Sequence, residues 1–234
     1  MNLICIRQPG YMPNIEFFQK LMACDTFVYL DDTQYGSERW DNRNKIRSDR
    51  GFMWLTVPII RKTKNNLNEI LIANNENWQK KHLRSIEINY KKTQFFHKYW
   101  PKIESILNKK WEKILDLNLE IINFIKSELD IKTKTVLSSD LTIKETGSKK
   151  LLEICKKLHA TSYLSGKMGK NYLDEDFFKE AKIKIIYENF SHPVYLQIQG
   201  DFIPNLSIID LLFNMGGESK KLISKSIELI TLKR

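Results

Sequence analysis

Short apolar runs separated by polar loops open the chain. Leu3-Ile4-Cys5-Ile6 and Thr26-Phe27-Val28-Tyr29-Leu30 are rich in β-branched and aromatic residues and predict buried strands. Between them Ile15, Phe17, Phe18, Leu21 and Met22 recur at helical spacing, and Pro13 suits a helix start. Strand, loop, helix and strand make a βαβ unit with a right-handed crossover. Residues 52–60 predict a third strand, ended or edged by Pro58, and 67–72 a short further one.

A long helical stretch follows, at approximately 77–90, 93–108 and 111–129. Its apolar positions (Leu83, Ile86, Ile103, Ile106, Leu107, Trp111, Leu115) keep helical spacing. Tyr99-Trp100-Pro101 predicts a break there, because the residue before proline is pushed out of the helical region. Tyr90, Phe95, Phe96, Tyr99 and Trp100 share the spacing and read as helix packing. The second half alternates again: a strand at 135–137, a helix at 147–158, a strand at 161–164, a helix near 174–181 and a strand at 183–187. A helix over 207–214 stops at Gly216-Gly217 and a C-terminal helix follows. This order predicts one α/β domain with a Rossmann-like, mostly parallel sheet flanked by helices. Its core is assigned to approximately 1–75 and 131–234, and the inserted or appended helical section to approximately 76–130.

Composition narrows the class. A chain of 234 residues can bury a substantial core, and its 42% apolar and 28% charged content is that of a soluble globular protein. No apolar run is long enough to span a bilayer, and the start lacks a secretory pattern, which predicts a cytoplasmic protein. Cys5, Cys24 and Cys155 are scattered and predict buried thiols; His82, His97, His159 and His192 show no metal-ligand spacing, so no structural metal is expected, while adjacent carboxylates such as Asp31 and Asp32 can bind Mg²⁺. The net charge of +10 is spread along the chain, with its densest basic segment at Arg39–Arg50. Either a solvated surface or an anion-attracting face accounts for it.

Candidate chemistry clusters after the predicted strands, where open α/β sheets hold ligands. Gln8-Pro9-Gly10-Tyr11-Met12-Pro13 is a loop of fixed path, in which Gln8 offers a donor and an acceptor and Tyr11 a ring and hydroxyl. Asp31 and Asp32, followed by Gln34, end the second strand, where a carboxylate can act as base, orient hydroxyls or cap a turn. Arg39, Trp40, Asn42 and Arg43 combine guanidinium forks, an indole and an amide, suited to a nucleotide-sugar diphosphate or to internal pairing with aspartates. His82 is a helix-borne histidine, a candidate acid–base group or a structural one. Ser165-Gly166-Lys167 after a strand resembles a small phosphate-holding turn, although it lacks a full P-loop pattern.

These residues carry a family resemblance. Gln8-Pro9-x-Tyr11-x-Pro13, Phe17-Phe18-x-Lys20, Asp25-x-Phe27-Val28, Asp31-Asp32-x-Gln34 and Trp40-x-Asn42-Arg43-x-Lys45-Ile46 occur in order. Trp54-Leu55-Thr56-Val57-Pro58, Trp78-x-x-Lys81-His82, Tyr163-Leu164-Ser165-Gly166, Tyr172-Leu173 and Ser207-Ile208-x-Asp210-Leu211-Leu212 follow. With them the chain resembles the WbqC-like family, bacterial proteins associated with O-antigen and other surface-polysaccharide gene clusters. Many relatives carry histidine where this chain has Arg7, so no proton-transfer role is assigned there.

The resemblance implies transfer of an activated amino acid, such as glycine, or another acyl group onto the amine of a nucleotide-linked amino sugar. An acyl carrier or an aminoacyl-tRNA are the donors it allows, and a non-catalytic binding or assembly role stays open beside it. His82, Asp31 or Asp32 is then the candidate base; Gln8, Tyr11, Gln34, Arg39, Trp40, Asn42, Arg43, Ser165, Gly166 and Lys167 are candidate substrate contacts. The opening βαβ unit also resembles, at fold level, the HUP-type nucleotidyltransferases such as pantothenate synthetase, giving a HUP-like expectation for the sheet. Histidines that hold ATP phosphates in those enzymes are missing from this first loop.

Overall fold

A computed structural model describes residues 2–36, 40–60, 65–225 and 227–231, the last five as backbone. The first apolar run is β1 (Leu3–Arg7), followed by α1 (Ile15–Ala23) and β2 (Thr26–Tyr29). Later in the chain come β7 (Lys134–Leu137), α5 (Gly147–Lys157), β8 (Ser162–Ser165), α6 (Glu175–Glu180) and β9 (Lys184–Phe190). They build a sheet ordered β9-β8-β1-β2-β7, all parallel, with β10 (Ile227–Thr231) antiparallel on the β9 edge. This is the doubly wound Rossmann-like order, and its direction of growth reverses between β1 and β8.

Strand alternation divides the interior. Leu3 and Cys5 of β1 face one apolar cluster with α1, whereas Ile4 and Ile6 face the other with α5 and α6. Between β2 and β7 the chain makes β3 (Arg43–Ser48), β4 (Gly51–Thr56), the short pair β5 (Ile59–Ile60) and β6 (Leu71–Ile72), and helices α2 (Trp78–Tyr90), α3 (Phe96–Asn108) and α4 (Ile114–Glu128). The three helices pack on the α1 face, joined by α7 (Ile208–Met215) and α8 (Ser219–Lys225), so one apolar cluster runs from sheet to helical section.

Several expectations change. The predicted third strand is not in the main sheet: β4 pairs antiparallel with β3 as a separate hairpin, and the chain leaves the strand before Pro58. No break occurs at Pro101, because α3 runs through it. The proline lies early in the helix, forfeits only the bond to the His97 carbonyl, and is exposed while Tyr99, Ile103, Ile106 and Leu107 bury the other side. β3 and β10 had no counterpart among the predicted elements. Cys5, Cys24 and Cys155 are free, buried thiols, and burial pushes Cys5 and Cys155 up to about 12. Among the described residues no helix is long and apolar enough to cross a membrane.

A buried polar knot ties the hairpin and helical section to the C-terminal half. Asp210 of α7 is fully buried and accepts from Tyr90 Oη (2.9 Å), Tyr195 Oη (2.7 Å) and Gln197 Nε2 (2.9 Å). Tyr90 Oη also accepts the Arg47 backbone N–H (2.8 Å), and the Arg47 side chain donates to the Asp201 carbonyl (2.8 Å). Replacing Asp210 by alanine takes the acceptor from two buried hydroxyls, while Gln197 Nε2 keeps the Ile203 carbonyl (3.0 Å), so Asp210→Ala is expected to lower stability by about 2–5 kcal/mol. Urea unfolding followed by circular dichroism checks this; a loss under about 0.5 kcal/mol, the usual size for a surface substitution, would remove the knot from the account.

Candidate functional site

The crevice between the carboxyl ends of β1 and β8 is where this strand order places a ligand. Arg7 ends β1, and Ser165-Gly166-Lys167 spans the end of β8 and the turn that follows. Beside them lies a cavity of about 190 Å³ lined by Arg7, Gln8, Gly10, Pro13, Asn14, Phe17, Trp40, Asp41 and Asn44. It sits against the first turn of α1, whose N-cap Asn14 accepts from the Phe17 N–H.

The cavity wall is stitched from two segments far apart in sequence. Tyr11 N donates to the Trp40 carbonyl (3.0 Å), and Asn44 Nδ2 donates to the carbonyls of Met12 (2.7 Å) and Tyr11 (3.3 Å). Asn118 of α4, wholly buried, donates to the carbonyls of Pro9 (3.0 Å) and Asp41 (2.7 Å). Gly10 is required here, since a Cβ on it would lie 2.9 Å from the Trp40 carbonyl oxygen.

A chain of alternating charges lies behind the crevice. Arg7 Nη1 stands 3.1 Å from Glu16 Oε1; Lys20 Nζ stands 2.6 Å from the same oxygen and 3.0 Å from Glu188 Oε2 on β9. Gly166 leaves room for that ammonium, because a Cβ would lie 2.9 Å from Lys20 Nζ. Burial alone pushes the Glu16 carboxyl up, but the charges of Arg7 and Lys20 outweigh it and hold it at about 2. Glu188 is more deeply buried, and desolvation there exceeds the attraction of Lys20, so its pKa is raised.

The sequence-predicted residues fall into distinct places. Gln8 and Trp40 line the cavity, and Gln8 Nε2 also donates to Thr33 Oγ1 (3.1 Å), joining the β1 and β2 loops. Asp31 is buried, with Ser138 Oγ and the Ser139 N–H each 3.0 Å from its Oδ1 and Asn68 Nδ2 3.3 Å from its Oδ2, so it fastens three loops. Asp32 pairs with Lys150 Nζ (2.8 Å) and accepts from Ser138 Oγ, yet its side chain is 17% exposed. Gln34 is exposed and bridges to Asn66. Asn42 is buried, donating to the Val57 carbonyl (2.8 Å) and accepting from Tyr35 Oη (2.8 Å). Arg43 lies over the Trp54 ring (4.6 Å). Ser165 is buried against the Gly166 carbonyl, and Lys167 is exposed at the start of a 3₁₀ turn. Arg39 lies outside the described residues.

His82 and Tyr11 form a buried pair. Tyr11 Oη and His82 Nδ1 are 2.9 Å apart, and His82 Nε2 lies 3.2 Å from the Thr56 carbonyl oxygen. That carbonyl can only accept, so Nε2 carries the proton and Nδ1 accepts from Tyr11. Both ring nitrogens are therefore engaged, and burial lowers the His82 pKa to about 4.

Sequence reasoning missed Glu16, Lys20, Glu188 and Asn118 as site-building residues. The spacing of Glu16 and Lys20 was a signal, four apart on one helix face. The strand pairing that brings Glu188 to them leaves no local trace. Among the described residues no group of three or more His, Cys, Asp or Glu is placed to hold a metal ion.

Comparison with known proteins gives the same outline. The sequence model of the WbqC-like protein family matches residues 8–222. An uncharacterized protein of Mycobacterium tuberculosis is 33% identical over 223 residues, covering 94% of this chain and 96% of that protein. No solved structure matches significantly. The chain belongs to the WbqC-like protein family.

The depressed His82 pKa makes a directional prediction. Its contribution is complete above pH 6.5, where the ring is neutral whether folded or not, and falls as pH drops from 6.5 towards about 4, where only the unfolded chain takes up the proton. The loss is on the order of 3 kcal/mol across that window. Urea midpoints measured from pH 7.5 to 4.5 are expected to fall less steeply in His82→Gln than in the native protein; parallel slopes would overturn the assignment.

Proposed function

We propose that this family member is a transferase forming an amide between an activated amino acid, glycine being the smallest, and the amine of a nucleotide-linked amino sugar in surface-polysaccharide biosynthesis. The observation that carries the reading is the cavity beside the β1–β8 switch, walled by Arg7, Gln8, Trp40 and Asn44. Doubly wound sheets hold their ligands at that place, and Arg7 and Gln8 stand on the cavity wall there. The amino-sugar acceptor and the acyl donor come from the family resemblance.

In this reaction the unprotonated sugar nitrogen attacks the acyl carbon. A nitrogen–carbon bond forms, the bond from that carbon to the donor's sulfur or oxygen breaks, and the nitrogen gives up one proton. Gln8 is given the task of donating to the carbonyl oxygen as its charge grows, because its amide lines the cavity. Asp32 is given the proton, being the candidate base with solvent access; Asp31 is enclosed by its donors and His82 has both nitrogens occupied. Tyr11 and His82 act at one remove, fixing the loop that carries Gln8. A thioester, an acyl carrier or an aminoacyl-tRNA can each supply the activated acyl group.

Incubating the protein with amino-sugar nucleotides and thioester-, adenylate- or tRNA-linked amino acids is expected to yield a product heavier by one acyl group in mass spectrometry. Asp32→Asn is expected to lower kcat by about 10²–10⁴-fold with the fold retained. No product with any of these donors would overturn the reading, and an undiminished kcat would remove Asp32 from it.

A further inference from the structure

The β3–β4 hairpin carries three large aromatic side chains on the surface: Trp40 just before it is 42% exposed, Phe52 45% and Trp54 39%. Burial would be the ordinary fate of such rings, and a cluster of them left in water marks a binding surface. Their arrangement is close. Trp40 and Trp54 have centroids 5.3 Å apart and tilted by 37°, and Phe52 meets Trp54 edge-on at 6.5 Å.

Cations are woven through them by the register of the hairpin. Lys45 lies opposite Trp54, and Arg43, two residues before it, shares that face. Lys45 Nζ is 4.3 Å from the Phe52 centroid and 5.1 Å from that of Trp54, while the Arg43 guanidinium lies 4.6 Å over Trp54. The opposite face is anchored: Ile46 is fully buried and Leu55 nearly so. A rigid hairpin therefore presents flat rings and positive charge together.

This surface is continuous with the cavity, since Trp40 lines both. Sites that enclose a whole cofactor-sized ligand run to roughly 300–1,000 Å³. The cavity offers about 190 Å³, room for the reacting end of such a ligand, so the rest must lie outside it. A planar, anionic remainder matches the aromatic rings and cations beside the opening.

We propose that Trp40, Phe52 and Trp54, with Lys45 and Arg43, form a platform on which the base and phosphates of a nucleoside diphosphate lie, directing the attached group into the cavity. The proposal rests on the transferase reading for the attached group, but the platform's own ligand is the nucleoside diphosphate. Ring stacking selects a planar base, and the two cations flanking Trp54 take the phosphate charge. Continuity with so small a cavity favours a single nucleotide over a strand of nucleic acid, which would need a groove running past the platform.

The test uses the sugar-free nucleotides UDP, ADP, GDP and dTDP, titrated into the whole protein by calorimetry and tryptophan fluorescence, with a ten-residue oligouridylate as comparison. At least one diphosphate is expected to bind and quench the fluorescence. Trp54→Ala and Lys45→Ala are each expected to weaken it about tenfold or more, with Trp54→Phe recovering part of the loss. Thermal midpoints should stay close to the native value, because all three substitutions fall on the exposed face. Unchanged affinity in both alanine variants, absence of binding by all four diphosphates, or an oligouridylate bound a hundredfold more tightly through Trp54 would overturn the platform. Diphosphate binding that depends on Trp54 without any amide product would instead count against the transferase reading and leave the platform standing.

Discussion

The close approach of the first loop to the Trp40 segment is the constraint on which the site depends. Gly10 lets the Trp40 carbonyl come within a distance that no side-chain carbon could share, and Tyr11 N then donates to it (3.0 Å). Two buried amides, Asn44 and Asn118, hold the flanking carbonyls from either side. Met12 accepts a left-handed backbone (φ 43°) within the same clamp. The clamp makes one cavity wall from residues 8–14 and 40–44, aims the Tyr11 ring inward to His82, and attaches the β3–β4 hairpin rigidly to the sheet. A two-stranded ribbon alone is of marginal stability, and the clamp shares its anchoring with the buried Ile46 and Leu55 and with the bond from Arg47 N to Tyr90 Oη.

The electrostatics of the crevice follow from a second constraint, the burial of Lys20. An ammonium taken from water needs close carboxylates, and Lys20 has one on its own helix and one on β9. Those carboxylates respond in opposite directions: Glu16, nearer the surface and shared with Arg7, is held at about 2, whereas the more enclosed Glu188 is raised. The charges of Arg7 and Lys20 are thus matched by Glu16 and Glu188, tying α1 to β1 and β9, while Gly166 leaves the space that the Lys20 ammonium fills.

Much of this frame was legible from hydrophobic patterning. Continuous apolar runs flag strands buried on both faces, which is why β1, β2, β8 and β9 were found within about one to three residues of their observed ends. β3 escaped because its alternation is between basic residues and Asn44, Ile46 and Ser48, with one apolar position among six. Pro101 misled because local rules cannot weigh the buried face of α3 against one lost hydrogen bond. At the site, Gln8 and Trp40 of the expected residues line one cavity, whereas Gly166 lies against Lys20. The partners that decide what each group can do stand 71 residues away for Tyr11 and His82 and 107 for Asp31 and Ser138, distances at which sequence periodicity is silent.

Polar residues after these strands therefore divide by access to solvent, not by residue type. Asp31 and Asp32 are adjacent carboxylates, yet one is consumed in fastening the loops after β2 and β7 while the other keeps a partly open face. Tyr11 and Trp40 are both aromatic and both touch the first-loop clamp, but Tyr11 turns inward to a neutral histidine and Trp40 turns outward to the cavity mouth. The same backbone contact that buries one ring exposes the other. A polar or aromatic signature can thus serve two ends at once: half of it builds the wall, and half is left facing water at the cavity mouth.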